Sequence, residues 1–297
     1  MPATVWVDPG CGSPPTSTIA QTYPTDYYQN AAPQGLVPQQ SPYGTPWEWQ
    51  FLPDTLIYKS YLAGVKEPRL SAVLAQERDI DWFIDATLGG RVGLVRYGTP
   101  DSLRPDGWQL DFEGAAFPRV NLDEDWDLEA VDFRAGVPLT YGAGPWQTKL
   151  AYSHMSSHLG DEFVERTGAT RINYSRDGFV LGESFYPVDA VRLYAEAGWA
   201  FRAEGGAEPW EFQFGIDYTP LYSMGIFGAP FVALNGHLRE EVDFSGSFVA
   251  QAGVQWRGTH SQRMLRTGLH YFNGKSNQMQ FFNEHEEQIG VGLWYDY

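Results

Sequence analysis

With 37 acidic against 20 basic side chains, this 297-residue chain carries a formal charge of −17, and it offers no clustered Lys/Arg face for nucleic acid. A single cysteine, Cys11, excludes an intrachain disulfide. The longest run free of Asp, Glu, Lys and Arg, Tyr218 to Leu238, is broken by Pro220 and Pro230, so no membrane-spanning helix can be read.

Residues 1–50 are rich in Pro, Gln, Thr, Tyr and Gly, with few charges and no hydrophobic period, and read as a disordered lead-in. The start, Met1-Pro2-Ala3-Thr4, lacks the basic and apolar regions of a secretory leader, which an outer-membrane destination requires. Residues 51–297 form the second region, whose first part, 51–68, reads as a plug or an extra strand.

From residue 69 onward, apolar residues alternate with polar or small ones at period two. In 83–97, Ile84, Ala86, Leu88, Val92 and Leu94 share a face opposite Asp85, Thr87 and Arg91. In 190–203, Val191, Leu193, Ala195, Ala197, Trp199 and Phe201 oppose Arg192, Glu196 and Arg202. In 210–219, Trp210, Phe212, Phe214, Ile216 and Tyr218 oppose Glu211, Gln213 and Asp217. In 246–257, Phe248, Ala250, Ala252, Val254 and Trp256 oppose Gln251, Gln255 and Arg257. Segments 108–117, 127–140, 146–158, 170–184, 228–237 and 263–273 follow the pattern less cleanly. The last strand, 288–297, turns Ile289, Val291, Leu293, Tyr295 and Tyr297 one way, and Gln288, Gly290, Gly292 and Asp296 the other. Together with 69–77 these make twelve strands, an even number, as bacterial membrane barrels have. Aromatics at 15% of the chain with a negative mean hydropathy suit such a barrel, apolar toward lipid and polar within.

Connection lengths point the same way. The predicted turns Tyr141–Pro145, Phe185–Asp189 and Gly258–Gln262 are short. The alternating connections Pro118–Trp126, Leu159–Ala169 and Gly274–Glu286 are longer, as outer loops are.

Chemistry concentrates in Leu150–Glu162. At period two, Leu150, Tyr152, His154, Ser156 and His158 share one face, which Leu150 and Tyr152 mark as lipid-exposed. His154 is placed to reach Ser156, the base–nucleophile contact that acyl transfer needs. The competing reading puts these polar groups in the headgroup zone at a strand end, bonded to lipid or water. A metal site on His154 and His158, with Asp161 and Glu162 beyond, is discounted, because on a strand the two His stand about 13 Å apart and cannot share one ion.

The His-x-Ser spacing resembles the outer-membrane phospholipase A and lipid A deacylase barrels, which hydrolyse acyl esters of lipids. That resemblance implies Ser156 as nucleophile, His154 as general base and a third polar residue that orients the His. Asn173, on the next predicted strand, is the candidate for that third role, although its parity reads inward; the family usually follows the Ser with Asn, where this chain has Ser157. More broadly, Tyr152–Phe163, Arg176-Asp177-Gly178-Phe179 and Phe185-Tyr186-Pro187-Val188-Asp189 resemble an uncharacterised bacterial family, a domain of unknown function whose members look like outer-membrane barrels.

The acidic run Asn121–Asp127 supplies Asp123, Glu124, Asp125 and Asp127, hard oxygen ligands of the kind Ca²⁺ takes, without the EF-hand spacing. A solvated acidic loop is the alternative, and no other cofactor is implied. The expectation is an all-β protein: a closed antiparallel transmembrane barrel of about twelve strands in the outer membrane, monomeric or weakly associating. Its functional reading is a structural barrel or narrow small-solute pore in contact with lipid, with a lipid acyl-ester hydrolase as the alternative.

Overall fold

The sequence alternation becomes a wall of thirteen antiparallel strands in the computed structural model, which describes residues 45–77, 82–100, 103–222, 225–259 and 261–297. Most of the predicted lead-in, residues 1–44, lies outside them. The strands are β1 (Glu48–Phe51), β2 (Leu70–Glu77), β3 (Trp82–Gly98), β4 (Gly107–Asn121), β5 (Asp127–Ala143), β6 (Trp146–Leu159) and β7 (Ser175–Val188). They continue as β8 (Val191–Glu204), β9 (Trp210–Tyr218), β10 (Ala229–Arg239), β11 (Gly246–Arg257), β12 (Met264–Lys275) and β13 (His285–Asp296). One α-helix, α1 (Asp161–Thr167), interrupts them. Each strand from β2 to β13 pairs with its sequence neighbour, and β13 pairs with β2, so twelve strands close into a barrel as the alternation predicts.

The barrel is apolar outside and polar inside. Leu88, Leu150, Leu181, Leu269, Ile289, Val291 and Leu293 are each more than half exposed. Arg91, Asp111, Glu113, Lys149, Arg192, Asp217 and Arg266 are buried. That inversion fits a wall whose outer solvent is hydrocarbon, and it does not fit a water-soluble barrel.

The lumen is filled by the chain between β1 and β2. β2 is short and covers only Trp82–Leu88 of β3, while β1 pairs with Val95–Gly98 on the same edge. The chain leaves the wall after Leu52 N–H bonds to Leu94 O, and Arg69 O, accepting from Gly89 N–H, brings it back. Between these points Leu56, Ile57, Tyr58, Tyr61, Leu62 and Ala63 are buried.

This inner segment has no regular ladder, so its carbonyls need donors from elsewhere. Wall arginines supply them. Arg192 donates to the carbonyls of Lys59 and Ser60, Arg266 to Leu62, Arg134 to Lys66 and Arg96 to Thr55. Arg69 in the segment pairs with Asp296 on β13 at 2.9 Å, and Lys66 with Asp132 on β5 at 2.6 Å. Tyr61 stacks on Tyr194 with ring centroids 3.9 Å apart and donates to Glu196. Gly182 on β7 makes room for this packing: a Cβ there would sit 2.8 Å from Tyr58 Oη and 2.9 Å from Tyr61 Oη.

Several strand ends differ from the sequence reading, and two of these shifts bear on the lumen and the site. Glu48–Gln50, placed in the lead-in, belong to β1, because the short β2 leaves part of the β3 edge open to pair with them. β7 begins at Ser175 instead of 170, because α1 and the stretch up to Tyr174 fold over the barrel end. There Tyr174 packs beside Phe282, and Phe163 beside Phe281, in the β12–β13 connection.

Candidate active site on the outer barrel face

The outward face of β6 presents Tyr152, His154 and Ser156 near the strand end that carries the longer connections. Inward neighbours on the same strand keep that phase. Lys149 is buried against Glu196 at 2.5 Å, and Ser157 is buried with its N–H bonded to Tyr174 O. The β6–β7 register sets His154 opposite Asp177 and Ser156 opposite Ser175.

Asp177 is the organising group. Its Oδ1 lies 2.8 Å from His154 Nδ1 and accepts a hydrogen bond from Tyr152 Oη at 2.7 Å. With Nδ1–H donating to the carboxylate, Nε2 carries the lone pair and is free to act as a base. The Asp177 side chain is 14% exposed and that of His154 37%, so the pair sits at a half-covered surface. Ser156 is half-buried beside them, next to Phe133 on β5, and no hydrogen bond joins it to His154.

Neighbouring strands build the surround. A bulge opposite Asp177/Gly178 inserts an extra residue in β8, so Phe201 and Arg202 both turn outward. Phe201 stands 5.5 Å from Phe179 and 6.5 Å from Tyr152 between ring centroids, an aromatic floor just below the polar row. Arg202, opposite Asp177 in register, pairs with Glu204 at 2.8 Å.

The strand ends beneath the site are tied down across the barrel. Gln280 donates to the carbonyls of Ser157 and Ile172, both at 2.9 Å, and its own carbonyl accepts from Ile172 N–H at 3.1 Å.

The other predicted residues fall elsewhere. Asn173 precedes β7 and is exposed, with Tyr174 buried beside it; the partner on His154 is Asp177 instead. The reason is register: Ser175 pairs with Ser156, which places the Asn173 position beyond the His154 row. Of the acidic run, Asp123 Oδ2 accepts from Trp82 N–H at 2.7 Å, while Asp127 and Glu124 face Arg166 of α1 at 3.2 and 3.5 Å. Asp125 sits in the turn with φ 51°. Among the described residues no three acidic, His or Cys side chains group to hold a metal ion, so this run does not assemble the expected Ca²⁺ site. Sequence reasoning missed Asp177, although Phe179 and Leu181 share its parity and mark its face as outward.

No curated protein matches the chain in sequence. Solved structures with a similar fold include the outer membrane phospholipase A from Escherichia coli, at 11% identity and TM-score 0.49, covering 77% of this chain and 90% of that one. They also include the KdgM porin, at 10% identity and TM-score 0.43, covering 77% and 99%. A family model described as a protein of unknown function, DUF1207, matches residues 41–297, and the chain is an outer-membrane-type β-barrel that belongs to this family.

Proposed function

We propose that the protein is a serine hydrolase of lipid acyl esters, working from the lipid-facing surface of an outer-membrane barrel. The observation that carries this reading is the Asp177–His154 contact at 2.8 Å, on the same outward strand face as Ser156. A polar cluster on that face is costly unless it meets headgroups or substrate.

In the proposed reaction Ser156 Oγ attacks the ester carbonyl while His154 Nε2 takes its proton. Asp177 holds Nδ1–H and stabilises the imidazolium that forms. The tetrahedral intermediate collapses with release of the lipid alcohol, which receives the proton from His154. Water, activated by the same His154, then hydrolyses the acyl-serine to free fatty acid. The Ser156–His154 hydrogen bond forms with substrate in place, as such contacts commonly tighten only in the complex. The filled lumen supports this reading over solute passage, because residues 55–63 and the wall arginines occupy the space a pore requires.

The test is fatty-acid release from mixed phospholipid or lipopolysaccharide micelles, with and without Ca²⁺, comparing wild type with Ser156→Ala. Release that disappears in the variant is expected. No release, or release that the variant retains, rejects the assignment for those lipids.

A further inference from the structure

At the opposite end of the barrel, where β7–β8 and β11–β12 are joined by short turns, a small recess is lined by Lys59, Arg104, Arg192 and Arg257. Four cations in one recess stand out in a chain with a net charge of −17. Arg104 pairs with the exposed Asp189, Arg192 lies 3.7 Å from Asp217, and Arg257 donates to the Gln262 carbonyl at 3.5 Å. Asp296, also at the recess, is engaged by Arg69 and Arg266.

Lys59 is different. Among the described residues its ammonium meets no carboxylate and no hydrogen-bond acceptor, although its own carbonyl is held by Arg192. Arg104 Nη1 is likewise buried without a hydrogen-bond partner. Lys59 Nζ and Arg104 Nη1, two donors at one recess without a hydrogen-bond partner among the described residues, leave a deficit that an anion would fill.

We infer that this recess is a binding site for a phosphate group, held by Lys59 and the guanidinium fork of Arg104 with Arg192 and Arg257 behind them. Several cations around one small space suit a multiply charged oxyanion better than a single carboxylate, and arginine forks match phosphate oxygens in pairs. The aromatic rings of Tyr186 and Tyr297 and the side chain of Leu221 at the same recess give the body of the ligand an apolar wall. The phosphate can come from a lipid headgroup in the adjoining leaflet or from a free phosphate compound, and the site chemistry is the same for both. The inference is independent of the hydrolase proposal, which concerns the other end of the barrel.

The experiment uses the full chain folded in detergent micelles. Inorganic phosphate and a short-chain phosphatidic acid below its micellar concentration are titrated separately by calorimetry, and the heat-unfolding midpoint is read with and without each. Wild type is expected to bind at least one probe and to gain a few degrees of midpoint with it. Lys59→Met and Arg104→Gln should each weaken that binding by about tenfold or more. Lys275→Gln, at the other end of the barrel, should leave it unchanged. Lys59→Met also removes an unpartnered charge, so without ligand it should unfold no lower than wild type. Binding of both probes identifies a free phosphate site, and binding of the lipid alone identifies a headgroup site. Failure of both to bind, or binding that Lys59→Met leaves intact, overturns the inference.

Discussion

His154 and Asp177 form a register pair across β6 and β7, and Asp177 Oδ1 serves both His154 Nδ1 at 2.8 Å and Tyr152 Oη at 2.7 Å. One carboxylate oxygen therefore fixes the ring orientation and selects the tautomer, while Tyr152 holds that carboxylate in place. Asp177→Asn keeps the shape but loses the charge that stabilises an imidazolium. In a lipid-release assay its kcat should fall by about 10² to 10⁴-fold, with little change in KM. Asn173→Ala, which touches none of these groups, should stay within about twofold of wild type. Equal losses in the two variants would remove Asp177 from the proposed triad.

The filled lumen predicts electrical silence. Wild-type protein in planar bilayers should show no stepwise conductance, because the carbonyls of Thr55, Lys59, Ser60, Leu62 and Lys66 are held by wall arginines. Deleting residues 54–67 and joining β1 to β2 with a short Gly/Ser linker should leave a polar, water-filled lumen that conducts. Steady conductance by the wild type would contradict the filled lumen.

Gly182 is a tight point between the inner segment and the wall, with two tyrosine hydroxyls within 2.9 Å of any added Cβ. Gly182→Leu should dislodge Tyr58 and Tyr61, lower stability by about 1–3 kcal/mol or more and make residues 55–66 sensitive to protease. Limited proteolysis of the folded barrel reads this directly. Unchanged protection would mean that the segment packs elsewhere.

Asp296 near the end of β13 bridges two buried arginines, Arg266 at 2.6 Å and Arg69 at 2.9 Å. Asp296→Ala strands both guanidinium groups in the lumen and should cost about 3–5 kcal/mol in denaturant unfolding. Adding Arg266→Met to Asp296→Ala removes one of the stranded charges and should recover part of that loss. A double variant no more stable than the single would show that Arg266 finds other partners.

Much of the barrel was legible in the sequence. Period-two alternation around Leu193 and Arg192, Phe214 and Gln213, or Leu293 and Gly292 assigned each strand and its outward face. An even strand number, with turns and loops alternating in length, then required closure. The same parity put His154 and Ser156 on the lipid side. Asn173 was the wrong partner for His154, because the connection from Gly160 to Tyr174 contains α1 and leaves the β6–β7 register free until the strands pair.

What the sequence determined by itself was therefore local: which segments are strands, which residues face out, and which strand end carries the His and Ser. Side-chain alternation is a property of each strand alone, so it can be read without knowing any partner. Tertiary structure decided everything that depends on register and on what enters the lumen: Asp177 beside His154, Glu124 and Asp127 turned toward Arg166 instead of a metal ion, and Lys59 set among arginines. Those contacts join residues far apart in the chain, and only closure of the barrel around its inner segment brings them within bonding distance.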